Sequence, residues 1–175
     1  PILDVLNIIK DEYILSTLHR PSNVDDQYSL ESLMDTMKQM SEDNTVVFPI
    51  HPRTKNNLKK YNIFEKYNSI KNLKIIEPQG YIDFMCLQKN AKLIITDSGG
   101  IQEESSYFQT PCLTVRDNTE RPVTISHGTN KLIGANYENI IPQLKMIENK
   151  ISNINLWDGM SSKRIVKILK EYYND

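Results

Sequence analysis

Metal ligands and redox motifs are scarce in this sequence. Its three histidines, His19, His51 and His127, are scattered and lack HExxH spacing, and no DxD triplet occurs, which argues against a bound metal. Neither GxGxxG nor the P-loop pattern is present, and no cofactor is suggested. The only two cysteines, Cys86 and Cys112, make no CxxC pair and read as reduced, packed thiols of a cytoplasmic protein. No apolar run reaches the ~20 residues of a membrane-spanning helix, and no signal-peptide pattern is visible. The formal net charge of −1 lacks the basic excess of nucleic-acid binders. A small anionic ligand is not excluded, because a few well-placed cations suffice for it.

What is present is an ordinary globular composition, 39% apolar and 25% charged over 175 residues, enough for one domain with a full core. Short apolar runs alternate with longer amphipathic stretches. The runs predict strands over Tyr13–Leu18, Thr45–Ile50, Leu73–Glu77, Lys92–Thr96, Cys112–Val115 and Lys131–Ile133. Several are continuously apolar, as in a parallel sheet covered on both faces. Helical spacing appears in Pro1–Lys10, Tyr28–Met40, Thr54–Tyr67, Tyr81–Asn90, Gly99–Phe108, Glu120–His127, Tyr137–Asn149 and Ser161–Tyr172. The alternation predicts a doubly wound, Rossmann-like α/β domain over residues 1–151. Residues 152–175 read as a linker and a last helix that docks elsewhere. The abrupt opening at Pro1 suggests a piece of a longer chain.

Only five of the basic residues are arginine, and four of those follow predicted strand ends: Arg20, Arg53, Arg116 and Arg121. His19 and His51 lie at the same edge. Ligands of open α/β sheets bind beyond the carboxyl ends of the strands, and arginine matches phosphate oxygens bidentately. The alternative is that loops are polar and arginine falls there by composition. His127, before Gly128 at a helix end, reads as structural.

The segment "TDSGGIQEE" places Ser98, Gly99 and Gly100 at a strand-to-helix junction. A helix N-terminus offers unpaired N–H groups, and glycines let an anion approach the backbone. A tight turn capped by Ser98 or Asp97 is the alternative. At ~100° per residue, Glu103 lies about 160° from the core-facing Ile101 and Glu104 about 60°. Glu103 is therefore expected in solvent. Glu104, beside the buried face, needs a partner, and the hydroxyls of a ribose would serve. Gln79 and Phe84 in "EPQGYIDF" could flank a base, although Phe84 also suits the helix core. Arg121 could point at the phosphates, with Glu120 holding it by a salt bridge.

In order and spacing, "TLHRPSNVD", "HPRT", "EPQGYIDF", "TDSGGIQEE" and "RDNTERP" resemble the non-hydrolysing UDP-N-acetylglucosamine 2-epimerases. The match runs from about Tyr13 to Gly134, and "DGMSSKRIVKIL" resembles the family's C-terminal helix. The resemblance implies the C-terminal half of a two-domain GT-B-type fold, with the catalytic carboxylates on an N-terminal domain. It implies interconversion of UDP-GlcNAc and UDP-ManNAc by elimination and re-addition of UDP, in bacterial polysaccharide or capsule synthesis. Carried over by motif, the UDP site falls on Gln79, Phe84, Ser98, Gly99, Gly100, Glu104 and Arg121, and His19 is the functional histidine near the diphosphate. His51 matches a histidine that binds a second, regulatory nucleotide sugar in bacterial members, with Arg20 and Arg53 as further secondary candidates. A homodimer of the full-length protein stays open, as do a GT-B glycosyltransferase half and a non-catalytic nucleotide-sugar binding module.

Overall fold

Six short strands form one wholly parallel sheet in the order β3-β2-β1-β4-β5-β6. They are β1 Tyr13–Thr17, β2 Thr45–Pro49, β3 Leu73–Ile76, β4 Leu93–Thr96, β5 Cys112–Thr114 and β6 Asn130–Leu132. The computed structural model describes residues 2–146 and 151–173. Side chains alternate between two cores, as strand geometry requires. Ile14, Val46, Phe48, Leu93, Ile95 and Leu113 enter the core covered by helix α3 (Gln27–Asp43) and by the stretch containing Leu58 and Tyr67. Tyr13, Leu15, Val47, Ile94 and Cys112 enter the other, covered by α1 (Ile2–Leu6), α6 (Tyr81–Lys89) and α7 (Gly99–Phe108). This is the predicted doubly wound fold, and its runs are continuously apolar because both faces are buried.

Several expected boundaries move for identifiable reasons. The segment expected as one helix over Thr54–Tyr67 is two, α4 Pro52–Lys60 and α5 Phe64–Asn68. Asn62 takes a left-handed φ of 57°. Its amide donates to Lys59 O and that of Ile63 to Leu58 O, each at 3.0 Å. That is a Schellman ending with asparagine in the position glycine usually fills. Residues Pro21–Val24, outside every predicted element, form a short helix α2 with proline in the first turn, where its missing N–H costs nothing. Helix α3 starts after Asp26, which accepts from Ser29 N at 2.8 Å. The expected Glu120–His127 helix shortens to α8, Pro122–Ser126. The Tyr137–Asn149 helix is a 3₁₀ turn (Tyr137–Asn139) followed by α9, Ile140–Leu144; residues 147–149 lie outside the described residues.

The stretch read as a linker is anchored at its start. Ser152 N donates to Gln109 Oε1 at 2.7 Å, and Asn153 N donates to His127 O at 2.7 Å. The last helix, α10 (Ser161–Tyr173), buries none of its residues.

Gly128 closes the turn between α8 and β6. A Cβ there would stand 2.4 Å from both Ser106 Oγ and the Thr124 carbonyl oxygen. Gly128→Ala is expected to cost about 1–3 kcal/mol, the usual range for overpacking. The readout is a lower urea midpoint at unchanged slope; an unchanged midpoint would contradict the close approach.

Candidate functional site

Strand β1 lies between β2 and β4. From β1 the chain turns to α3 on one face, and from β4 to α7 on the other, so their carboxyl ends diverge into a crevice. Four of the proposed residues lie at these two strand ends: His19 after β1, and Ser98, Gly99 and Gly100 after β4; Arg121 is on the loop after β5.

The crevice floor is Asp97, a residue weighed in the sequence only as a helix cap. Its side chain has no solvent exposure. Oδ2 accepts from the backbone amides of His19 and Arg20, both at 2.9 Å, and from Asn23 Nδ2 at 2.8 Å. His19 Nδ1 stands 3.1 Å from Oδ1, and Arg20 Nε donates to the Asp97 carbonyl at 3.0 Å. Burial alone would push this carboxyl up. The His19 side chain and the two amides outweigh it and hold Asp97 below the usual carboxylate range. The Asp97 carboxylate in turn raises His19 above 6.5, against the opposing effects of its own burial and of Arg20.

Ser98 occupies the cap position of α7, but its side chain makes no capping bond. Its amide donates to Thr96 Oγ1 at 3.0 Å. Gly99 and Gly100 open the helix. A Cβ on Gly99 would come no nearer than 3.9 Å to any neighbour, and one on Gly100 no nearer than 4.0 Å. Neither glycine takes a positive φ. Nothing inside the protein therefore demands glycine at either position, although alanine would suit the helix better by up to about 1 kcal/mol.

Two expected pairings change. The Glu120 carboxylate pairs with Arg116, not Arg121: Arg116 donates to both of its oxygens, at 3.0 and 2.8 Å, while Arg121 Nη1 reaches only the Glu120 carbonyl, at 3.2 Å. That pairing lowers Glu120 to about 2. Glu103, expected free in solvent, lies 2.7 Å from Arg121 Nε, because the loop after β5 folds back over α7. This loop is pinned by Thr119, whose Oγ1 donates to the buried Gln102 Oε1 at 2.5 Å and accepts from Arg121 N at 2.9 Å. Glu104 is half-buried, but Gln88 Nε2 already donates to its Oε2 at 2.6 Å. Burial alone thus requires no ligand there; Oε1 is the oxygen left for a hydroxyl.

Gln79 lies in the loop between β3 and α6, where its Nε2 donates to Glu77 O at 2.7 Å. Phe84 packs against the core under α6. His51 caps α4 by accepting from Arg53 N at 3.2 Å, and its ring stacks on His19 with centroids 5.7 Å apart. Arg53 is paired with Asp25, with Nε donating at 2.6 Å to Oδ1. No group of three or more His, Cys, Asp or Glu poised for a metal occurs among the described residues. No helix among them is long and apolar enough to cross a membrane.

The signs of these shifts give a pH prediction. A raised His19 pKa adds stability below 6.5 that is lost as pH rises through the folded value. A lowered Asp97 pKa adds stability above 3.8 that is lost as pH falls through the folded value. The stability gap between the native chain and His19→Gln should therefore be widest between those two reference values and shrink above them. Urea midpoints across pH measure it; a gap independent of pH would contradict the pairing.

Comparison with known proteins bears on the family and the fold. A family model described as UDP-N-acetylglucosamine 2-epimerase matches residues 2–170. A UDP-N-acetylglucosamine 2-epimerase of Methanocaldococcus jannaschii is 47% identical over 169 residues, covering 93% of this chain and 45% of that protein. A structure of UDP-GlcNAc 2-epimerase from that organism superposes with a TM-score of 0.85 at 45% identity, over 97% of this chain and 49% of that one. Another, in complex with UDP-GlcNAc and UDP, superposes at 0.83 with 43% identity, over 97% and 48%. These relatives are archaeal, and a bacterial UDP-N-acetylglucosamine 2-epimerase, from Salmonella borreze, is 36% identical over 161 residues, covering 89% of this chain and 40% of that protein. The chain spans about half the length of the relatives it matches. With the family's sequence pattern running through nearly all of it, this chain belongs to the UDP-N-acetylglucosamine 2-epimerase family.

Proposed function

We propose that this chain is the nucleotide-binding half of a cytoplasmic enzyme that interconverts UDP-GlcNAc and UDP-ManNAc. The observation that carries the site is the open helix start at Gly99-Gly100. Two glycines that the fold does not need, beside an unused Ser98 hydroxyl and within a crevice flanked by cations, suit a pyrophosphate seated on backbone amides. Arg121 is exposed and paired with Glu103 across a surface contact, which is weak enough to yield to a dianion. His19 adds a second cation below its raised pKa. In this reading Glu104 Oε1 accepts from a ribose hydroxyl, and Gln79 and Phe84 flank the base.

Epimerisation at C2 of the sugar needs two things: removal of the C2 proton and stabilisation of the departing diphosphate. This half provides the second. As the C1–O bond breaks, charge develops on the leaving oxygen, and fixed donors there accelerate the step; one such donor is typically worth ~10²–10³ in rate. Carboxylate acid/base work belongs to the other half of the longer protein. Helix α10 offers Ile165, Val166, Ile168 and Leu169 to it, 48–63% exposed, on an amphipathic helix that buries nothing in this domain. The occupant we infer for that face is an N-terminal half, a reading supported by relatives about twice as long as this chain.

By calorimetry, this chain is expected to bind UDP weakly. Gly100→Ala should abolish binding without loss of stability, which separates a ligand role from a folding role. Ser98→Ala and Glu104→Ala should each weaken it by about tenfold, one lost hydrogen bond to a charged group. Glu103→Ala should not weaken it, because Glu103 competes with phosphate for Arg121. The intact protein, incubated with UDP-GlcNAc in deuterated water, should place deuterium at C2 without any acceptor; sugar transfer to an acceptor with no exchange would favour a glycosyltransferase instead.

A further inference from the structure

The crevice contains one charged group whose surroundings are fully specified and whose role in the reaction above is unassigned. Asp97 is buried, and its two oxygens have different duties. Oδ2 is saturated by three N–H donors from the β1–α2 segment. Oδ1 has no solvent exposure and no well-aligned hydrogen bond among the described residues; the polar group beside it is His19 Nδ1, 3.1 Å away. A buried carboxylate oxygen facing a ring lone pair would be repelled, whereas one facing an N–H is stabilised.

We propose that Asp97 is a positioning residue for His19: it keeps a proton on Nδ1 and thereby leaves Nε2 as the nitrogen that meets the diphosphate. The inference rests on the nucleotide reading of the crevice. His19 is 44% exposed in its side chain, so Nε2 is the ring atom free to meet a ligand, and no protein group hydrogen-bonds it among the described residues. Below its raised pKa, His19 is an imidazolium held in place from behind, donating a charge-assisted bond outward. Other titratable groups face the pair: Arg20 from the same loop disfavours the imidazolium, His51 stacks on the ring from the β2–α4 junction, and Arg116 from the end of β5 and the Tyr137 phenol lie within electrostatic range of Asp97. The Asp97 carboxylate is the partner that overcomes Arg20.

Asp97→Asn gives the sharpest contrast. Its amide oxygen would take the Oδ2 position among three donors, which turns the NH₂ toward His19 and inverts the bond. The ring would then be forced into the Nε2–H tautomer. Nitrogen-15 spectra of the His19 ring test this in the chain alone, with no ligand. The native chain should show the Nδ1–H tautomer when neutral, with a pKa above that of Asp97→Asn. An Nε2–H tautomer in the native chain overturns the proposal, even where the variant fails to fold; so does an unchanged pKa in a folded variant. Calorimetry with UDP forms the second arm. Native affinity should fall as pH rises through the His19 pKa, and in Asp97→Asn it should be about tenfold weaker at pH 6 with the fall moved to lower pH. Nδ1–H spectra with no UDP binding at any pH would overturn the nucleotide reading while upholding Asp97's hold on His19. UDP affinity with identical pH dependence in both proteins would overturn the proposal.

Discussion

A carboxylate with no access to water ties the carboxyl end of β4 to the loop that leaves β1. Asp97 receives two backbone amides and one asparagine amide from that loop, and its second oxygen faces His19. Isolated burial of such a charge costs several kcal/mol, so the arrangement persists only because each donor is in place. The consequence is geometric. His19, Arg20 and α2 are fixed relative to the start of α7, and with them the width of the crevice at the switch point of the sheet.

The rest of the edge is built around pairings of unequal strength. Arg116 is buried and doubly bonded to Glu120, which makes it a structural brace. Arg121 and Glu103 are both about half-exposed, and such pairs exchange partners readily. The loop after β5 therefore has a rigid stem, held by Thr119 on Gln102, and a displaceable cation at its tip. Beside it, the helix start at Gly99-Gly100 presents N–H groups that the Ser98 side chain does not cap. An anion entering here gains prealigned amides and loses little ordering entropy, the condition under which a binding site also stabilises a developing charge.

Much of this was legible in residue order. Continuously apolar strands alternating with amphipathic segments specify a sheet covered on both faces, and arginine and histidine after strand ends single out its carboxyl edge. What stayed hidden were contacts between segments distant in sequence. Asp97 looks like a helix cap until β1 is seen beside β4, which brings Asn23 and the His19 amide to it from more than seventy residues away. Helical periodicity put Glu103 in solvent because it cannot represent the loop after β5 folding back. Asn62 ended a helix that apolar spacing carried through to Tyr67, because a left-handed asparagine leaves little trace in a hydrophobic pattern.

The central claim is that the carboxyl edge around Gly99-Gly100 is a preformed pyrophosphate cradle with Asp97 as its floor. The most direct measurement is a backbone amide NMR titration of this chain with UDP. The account predicts that the largest shift changes fall on Gly99, Gly100 and the amides of His19 and Arg20, with Arg121 next. Changes confined to the opposite end of the sheet, around Lys10, Lys89 and Lys92, would contradict it, as would no change at millimolar UDP.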